Sequence, residues 1–225
     1  MPSEIFALSD AHIDKVAALS PSSATYLGIP GYDHLMNDYS PEGHEARHRL
    51  NVDTLAALGS LPVTNDDDRL AAGVMREMLE SEIDSYEVGE HLRAIRVIAG
   101  DVESAHSVFD LMRAEDKDDW AVINERISNV AGAFAGMRES WLLGMSRGVV
   151  TSQRQVLAVA EQLDAYAGRT GSPGFFRALA DRASTVAGAP MDDLRKNAEA
   201  ATAATIETAN FLRTTYLPAA RDADG

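Results

Sequence analysis

A chain of 225 residues is long enough to bury a full hydrophobic core, in one large domain or two small ones. Its 20 Lys and Arg against 35 Asp and Glu leave a formal charge of −15, which repels phosphate backbones and anionic membranes, so neither is expected as a partner. There is no cysteine, hence no disulfide, thiolate nucleophile or cysteine-held zinc in this chain. No basic-then-apolar leader precedes Ile5 and no apolar run reaches membrane-spanning length, so a soluble cytoplasmic protein is expected.

Apolar residues recur with helical spacing almost throughout, and period-two β-branched clusters are absent. A first helix is expected from about Asp10 to Leu19 with Ser9 as cap. A turn-rich passage follows from Thr25 to Gly43, where Gly28, Pro30, Gly31 and Pro41 alternate with Tyr26, Tyr32 and Tyr39. Loops that rich in tyrosine pack back onto a surface. Helices are then expected from about Pro41 to Leu58 and from Asp66 to Val88. In the second, Leu70, Val74 and Met78 interleave with Ala71, Met75, Leu79 and Ile83 to give a broad apolar face.

After a break at 89–100 and a short helical piece near 104–113 comes the longest apolar seam. Trp120, Ile123, Ile127, Val130, Phe134, Met137 and Trp141 fall in steps of three and four. They predict one helix from Asp119 to Gly148, about 45 Å long at about 1.5 Å per residue, against which the others pack. Gly148 ends it, and Thr151 or Ser152 caps a helix with the stripe Val156, Val159, Leu163 and Tyr166. Gly168 to Gly174 reads as a hinge or loop. Helices follow near 175–186 and 191–217, the last alanine-rich from Ala198 to Ala209 and suited to close contact. The fold class is therefore all-α, an irregular array of about seven or eight helices around a long central helix at about 119–148, with residues 1–225 as a single helical region.

The acidic groups Asp66, Asp67 and Asp68, and Asp118 with Asp119, sit where helix N-termini favour negative charge. His44-Glu45-Ala46-Arg47-His48 matches H-E-x-x-H, in which two histidines one turn apart hold zinc and the glutamate activates water. Here the histidines point away from the stripe Ala46, Leu50, Ala57 and Leu61, Arg47 and Arg49 crowd the turn, and no third ligand is marked. A solvated surface is the favoured reading, with a small metal hydrolase using His44, Glu45 and His48 as the weaker alternative. Gly144-Met145-Ser146-Arg147-Gly148 matches the G-x-S-x-G nucleophile elbow but ends a helix instead of joining strand to helix, so its glycines read as a helix C-terminus. Asp222-Ala223-Asp224-Gly225 opens like a calcium loop with nothing after it. His12, His34, His91 and His106 lack partners at ligand spacing and read as surface or hydrogen-bonded residues. No catalytic, cofactor-binding or metal residue is assigned.

An ordered series of segments carries a family resemblance. It runs Thr25-Tyr26-Leu27-Gly28 with Tyr32-Asp33, Asp38-Tyr39-Ser40-Pro41-Glu42-Gly43, Gly89-Glu90-His91-Leu92-Arg93 and Val108-Phe109-Asp110-Leu111-Met112. Asp119-Trp120 with Glu125-Arg126-Ile127, Gly144, Gly148, Phe211-Leu212 and Tyr216-Leu217-Pro218-Ala219-Ala220 complete it. This order resembles the N-terminal half of a bacterial family known as domain of unknown function 885, whose members resemble helical zinc metallopeptidases of the gluzincin type. The resemblance implies that the zinc motif lies in a C-terminal half absent from this sequence, so no cofactor is expected in this chain. The chain would be a truncated, non-catalytic N-terminal region forming part of a substrate-channel wall. A self-standing helical interaction module is the alternative. The implied partners are the missing half or a second copy, with peptide as substrate of the full-length protein. Near the truncation, Phe211, Leu212, Tyr216 and Leu217 are expected to be exposed.

Overall fold

The structure, a computed structural model, describes residues 3–222. Of the calcium-like tetrapeptide 222–225, all but Asp222 lies outside the described residues. Among the described residues the architecture is all-α, the one β-type feature being an isolated bridge between Ser152 and Arg221. No helix there is long and apolar enough to cross a membrane.

Helix α1 (Glu4–Leu19) begins earlier than Ser9 would place it, because the Ser3 hydroxyl caps the Phe6 N–H. A short α2 (Pro21–Leu27) occupies the start of the expected loop; Pro21 opens it and Gly28, at φ 69°, ends it. Helix α3 (Pro41–Ser60) is capped by Ser40 and α4 (Asp66–Glu87) by Asn65. Beside that cap, Asp68 accepts from both the N–H and the hydroxyl of Thr64, so this acidic cluster does serve a helix start. A 3₁₀ turn (Glu90–Arg93), α5 (Asp101–Ser107) and a second 3₁₀ turn (Val108–Leu111) follow.

The expected central helix is two helices, α6 (Lys117–Ser128) and α7 (Val130–Ser146), joined at Asn129. Asp116 and Asp119 form a reciprocal capping box at the start of α6. At the joint, the Asn129 side-chain amide donates to the Glu125 carbonyl, the one its own backbone N–H would take in a continuous helix. That N–H turns to Arg126 and Ile127 instead. The apolar seam crosses the joint intact: all seven of its residues, from Trp120 to Trp141, are at most 1% exposed.

The chain ends with α8 (Gln153–Tyr166), α9 (Phe175–Arg182) and α10 (Met191–Phe211), the last running into a π-type turn (Leu212–Tyr216). Helix α10 touches α6, α7, α8 and α9 and buries Ala198, Ala201, Ala204 and Ala209, so small side chains let it share the centre of the fold with the seam. Leu212 and Tyr216 are fully buried and Phe211 and Leu217 pack against the main core, contrary to the expected exposed end. The Tyr216 hydroxyl accepts from the Thr151 N–H at 3.0 Å, which ties this segment to the start of α8.

A second, smaller core joins α1, α3 and α4 through Ile5, Leu58, Met75 and Leu79. Two devices fix this three-helix unit to the rest. Arg126 on α6, wholly buried, donates to Leu35 O, Tyr32 O and Thr25 Oγ1 and so clamps the tyrosine-rich loop. The loop then crosses α7 at Gly136, where a Cβ would lie 2.7 Å from the Ser40 backbone nitrogen, and Ser140 donates to Tyr39 O at 2.7 Å. Because Ser40 caps α3, this crossing sets where α3 begins and which way His44 faces.

Candidate functional site: a histidine-lined groove

Where the three-helix unit meets the main body, α1, α2, α3, α4 and the Glu90–Arg93 turn enclose a cavity of about 420 Å³. His44 and His48 of α3, Tyr86 of α4 and His91 of the turn gather at one end. The His48 and Tyr86 rings stack at 4.0 Å and the Tyr86 and His91 rings at 4.3 Å, so the phenol lies between two imidazoles. His44 sits 4.9 Å from His91. The turn reaches this place because Gly144 has no side chain: a Cβ there would lie 2.5 Å from Leu92 O. Gly144 is thus an interior contact of α7 instead of a helix end, while Gly148, at φ 70°, stands just past the C-terminus as expected. Ser146 merely donates to Leu143 O.

The histidines expected on a solvated surface are therefore half-buried, and His91 has ring partners that its spacing did not announce. Arg47 organises the end of the cavity. Its guanidinium donates to Asp38 O at 2.8 Å, Leu19 O at 3.3 Å and His44 Nδ1 at 3.0 Å. A guanidinium only donates, so His44 Nδ1 accepts and the neutral ring carries its proton on Nε2. That Nε2 has no hydrogen-bond partner, nor do His48 Nδ1 and His91 Nδ1. A buried polar group left unpaired costs about 1–3 kcal/mol, so this cluster is a place where stability is given up.

Burial, then Arg47, then His91 push the His44 pKa down to about 3. Burial, then Arg147 and Arg47, push His91 down to about 4. Asp101, near Arg47, is pushed up to about 6 by burial, against the pull of Arg47 and Arg96. At neutral pH His44 and His91 are thus neutral imidazoles near Arg47 and Arg147, with the Asp101 carboxylate acting on Arg47.

The H-E-x-x-H residues do not fit a zinc centre here. Glu45 points to solvent and pairs with Arg49 at 2.5 Å. Ligation through His44 Nε2 would require moving its proton to Nδ1 and giving up the Arg47 bond, and the Tyr86 ring separates His48 from His91. Among the described residues no group of three His, Asp or Glu is arranged to hold a metal ion.

A second hollow of about 440 Å³ between α1 and α4 adjoins the cavity, sharing His12, Ile13 and Met78 with it. Its walls include Leu70, Val74 and Met78, which are 70%, 61% and 45% exposed. Half of the expected broad apolar face of α4 is thus open, the other half (Met75 and Leu79) being core. His12 is buried at the floor, its Nδ1 3.1 Å from Thr54 Oγ1. Since Thr54 donates its hydroxyl proton to Leu50 O at 2.7 Å, His12 is the donor in that pair. A larger cleft of about 920 Å³, between the 168–174 segment, α9 and α10, is lined by small and apolar residues such as Ala180, Ala198 and Ile206, and its charged residues, Arg177, Asp181, Arg195 and Glu199, are all exposed.

The family model described as bacterial protein of unknown function (DUF885) matches residues 21–225. The chain belongs to this family. The match takes in every element of the groove except α1, which lies before it. Several segments that carried the DUF885 resemblance position or line the groove of this chain: Thr25 and Tyr32 receive Arg126, Ser40 caps α3, and His91 lines the cavity. No curated protein matches the chain.

Two further histidines outside the groove complete the set. His106 is fully buried among Phe134, Tyr166, Phe175 and Phe176, donating from Nδ1 to Val102 O at 2.8 Å. The His34 carbonyl accepts from Asn129.

Proposed function

We propose that these helices form a non-catalytic wall of a substrate channel, the N-terminal region of a cytoplasmic zinc-dependent peptidase of the gluzincin type. Zinc and its ligands belong, on this reading, to a C-terminal half outside this sequence, and peptide is the substrate of the whole. The observation that supports it is the pair of adjoining hollows, one among α1, α3 and α4 with histidines in its wall and one between α1 and α4 with a mostly apolar wall. Such a surface suits an extended chain of mixed side chains, and contiguous exposed apolar surface of this kind marks a binding face. The outward Glu45, paired with Arg49, is consistent with a groove that contributes shape and hydrogen bonding instead of water activation.

The test is a fluorescence-anisotropy titration with a labelled apolar hexapeptide. Saturable binding that weakens at least fivefold in Val74→Lys supports the groove. Equal binding by wild type and variant places the peptide elsewhere and removes the reading.

The exposed stripe Leu70, Val74 and Met78 also favours a second reading, a self-standing helical module that associates with a copy of itself. Concentration-dependent association in sedimentation, abolished by Val74→Lys, would put that reading first. Zinc-dependent hydrolysis lost in His44→Ala would instead promote the small-hydrolase reading.

A further inference from the structure

Exposed apolar side chains line both sides of the hollow between α1 and α4, Phe6 and Ile13 on one helix and Leu70, Val74 and Met78 on the other. Each row runs about two helical turns, ~10–12 Å at about 1.5 Å per residue. Residues three or four apart share a helix face. By that spacing Asp67, Glu77 and Glu82 border the α4 row, and Asp10, between Phe6 and Ile13, borders the α1 row. All four carboxylates belong to exposed residues, and Asp67 and Glu82 line the hollows themselves.

The basic residues of these helices are turned elsewhere. Arg76 stands two residues from both Val74 and Met78, about 160° round the helix from each, and pairs with Glu80. Arg69 pairs with Asp66, and Lys15 is again two residues from Ile13. Arg47 reaches the neighbouring cavity, but its guanidinium donates to Asp38 O, Leu19 O and His44 Nδ1. The apolar rows thus carry a rim of one sign, on a chain of net charge −15. Such a rim discriminates among occupants. Two copies meeting here about a twofold axis would set identical patches, and so like-charged rims, against each other. A chain with apolar side chains flanked by cations complements both features, and one carrying anions is repelled.

We propose that the α1–α4 hollow docks a cationic apolar segment of peptide chain, its apolar side chains between Ile13 and Val74 and its Lys or Arg side chains over Asp10, Glu77 and Glu82. This rests on the groove reading above and names the class of peptide that the groove takes.

The test is a fluorescence-anisotropy titration of the full chain with three labelled peptides, each an apolar hexapeptide flanked at both ends by two lysines, two glutamines or two glutamates. The lysine peptide is expected to bind at least tenfold more tightly than the glutamate peptide, with the glutamine peptide between them. Glu77→Lys combined with Glu82→Lys is expected to erase the lysine preference while holding the affinity for the glutamine peptide within twofold. Glu139→Lys combined with Glu161→Lys, at exposed positions of α7 and α8, changes the net charge equally and is expected to keep the preference. A preference retained in the first double variant, or lost equally in both, would trace it to net charge and overturn the proposal. Three peptides bound alike, and all weakened by Val74→Lys, would overturn it while leaving the groove reading intact. A wild-type dimer in sedimentation, abolished by Val74→Lys, would give the face to a second copy and overturn it too. Absence of binding by all three peptides to the wild-type chain, its fold confirmed by circular dichroism, would overturn both the proposal and the groove reading.

Discussion

The Arg126 guanidinium donates to the Thr25 hydroxyl at 2.9 Å across 101 residues of sequence, and the same nitrogen reaches Tyr32 O at 3.1 Å. Burial lowers the Arg126 pKa to about 10, which still leaves it charged at neutral pH. Its nearest carboxylate, Asp33, is 4.0 Å away, so carbonyl and hydroxyl acceptors do most of the compensation. Arg126→Ala should cost about 3–5 kcal/mol, because it strips several buried acceptors at once. Urea unfolding measures this directly, and limited proteolysis within 28–38 should quicken in parallel. A loss below about 1 kcal/mol would mean the loop is held by other contacts.

The seam makes a second test. Ile127→Ala or Phe134→Ala should each cost about 2–5 kcal/mol, both side chains being wholly enclosed on either side of the Asn129 joint. Gly136→Ala should cost about 1–3 kcal/mol, since the new Cβ meets backbone of the crossing loop and not a flexible side chain. Retained stability in Gly136→Ala would show that the loop does not lie on α7.

These positions show what was legible in the sequence. Every seam residue was readable because a three-four spacing of large apolar side chains has one physical outcome, burial along one face. The joint at Asn129 was not, because the spacing runs through it unbroken and only a side-chain hydrogen bond to Glu125 O interrupts the ladder. His106 carried a usable signal: it lies with Val102, Ala105 and Phe109 on one helical stripe, which marks its face as inward. His44, His48 and His91 carried none of that kind. Two are opposite their own helix's apolar stripe, the third is 43 residues on from His48, and only the packing of α4 and the following turn covers them. The stripe Leu70, Val74 and Met78 shows the converse, since periodicity registers an apolar face without saying whether anything lies on it.

Acid should destabilise the fold. His44, His91 and His106 have folded pKa values of about 3, 4 and 4 against an ordinary 6.5, with burial the leading cause in each. Between those values the unfolded chain binds more protons, so their contribution is full above pH 6.5 and is lost as the pH falls toward 4. Asp101, raised from 3.8 to about 6, acts in the opposite sense across that window and offsets roughly one histidine. His91 is half-exposed and counts for less. The net loss between pH 7.5 and 4.5 should be about 4 kcal/mol, with His106→Phe removing more than half of it. Equal stability at the two pH values would show that these rings are hydrated in the folded state.

At the H-E-x-x-H segment the expected result of substitution changes sides once the packing is known. A surface histidine would tolerate alanine within about ±0.5 kcal/mol, but His44 takes a hydrogen bond from Arg47 and touches His91. His44→Ala should therefore cost about 1–2 kcal/mol, while Glu45→Gln, at an exposed ion pair, should cost less than about 0.5. Elemental analysis of the purified chain should give well under one zinc per molecule. One equivalent of zinc, lost in both variants, would require a rearranged α3.

The central claim, that the groove of α1, α3 and α4 is a peptide-binding wall, is tested most directly by hydrogen exchange of the chain with and without a saturating apolar hexapeptide. Protection is expected at residues 5–16, 44–51 and 70–91, the walls of the groove, with the α9–α10 cleft unchanged. Protection confined to residues 168–206, or none at saturation, would contradict it.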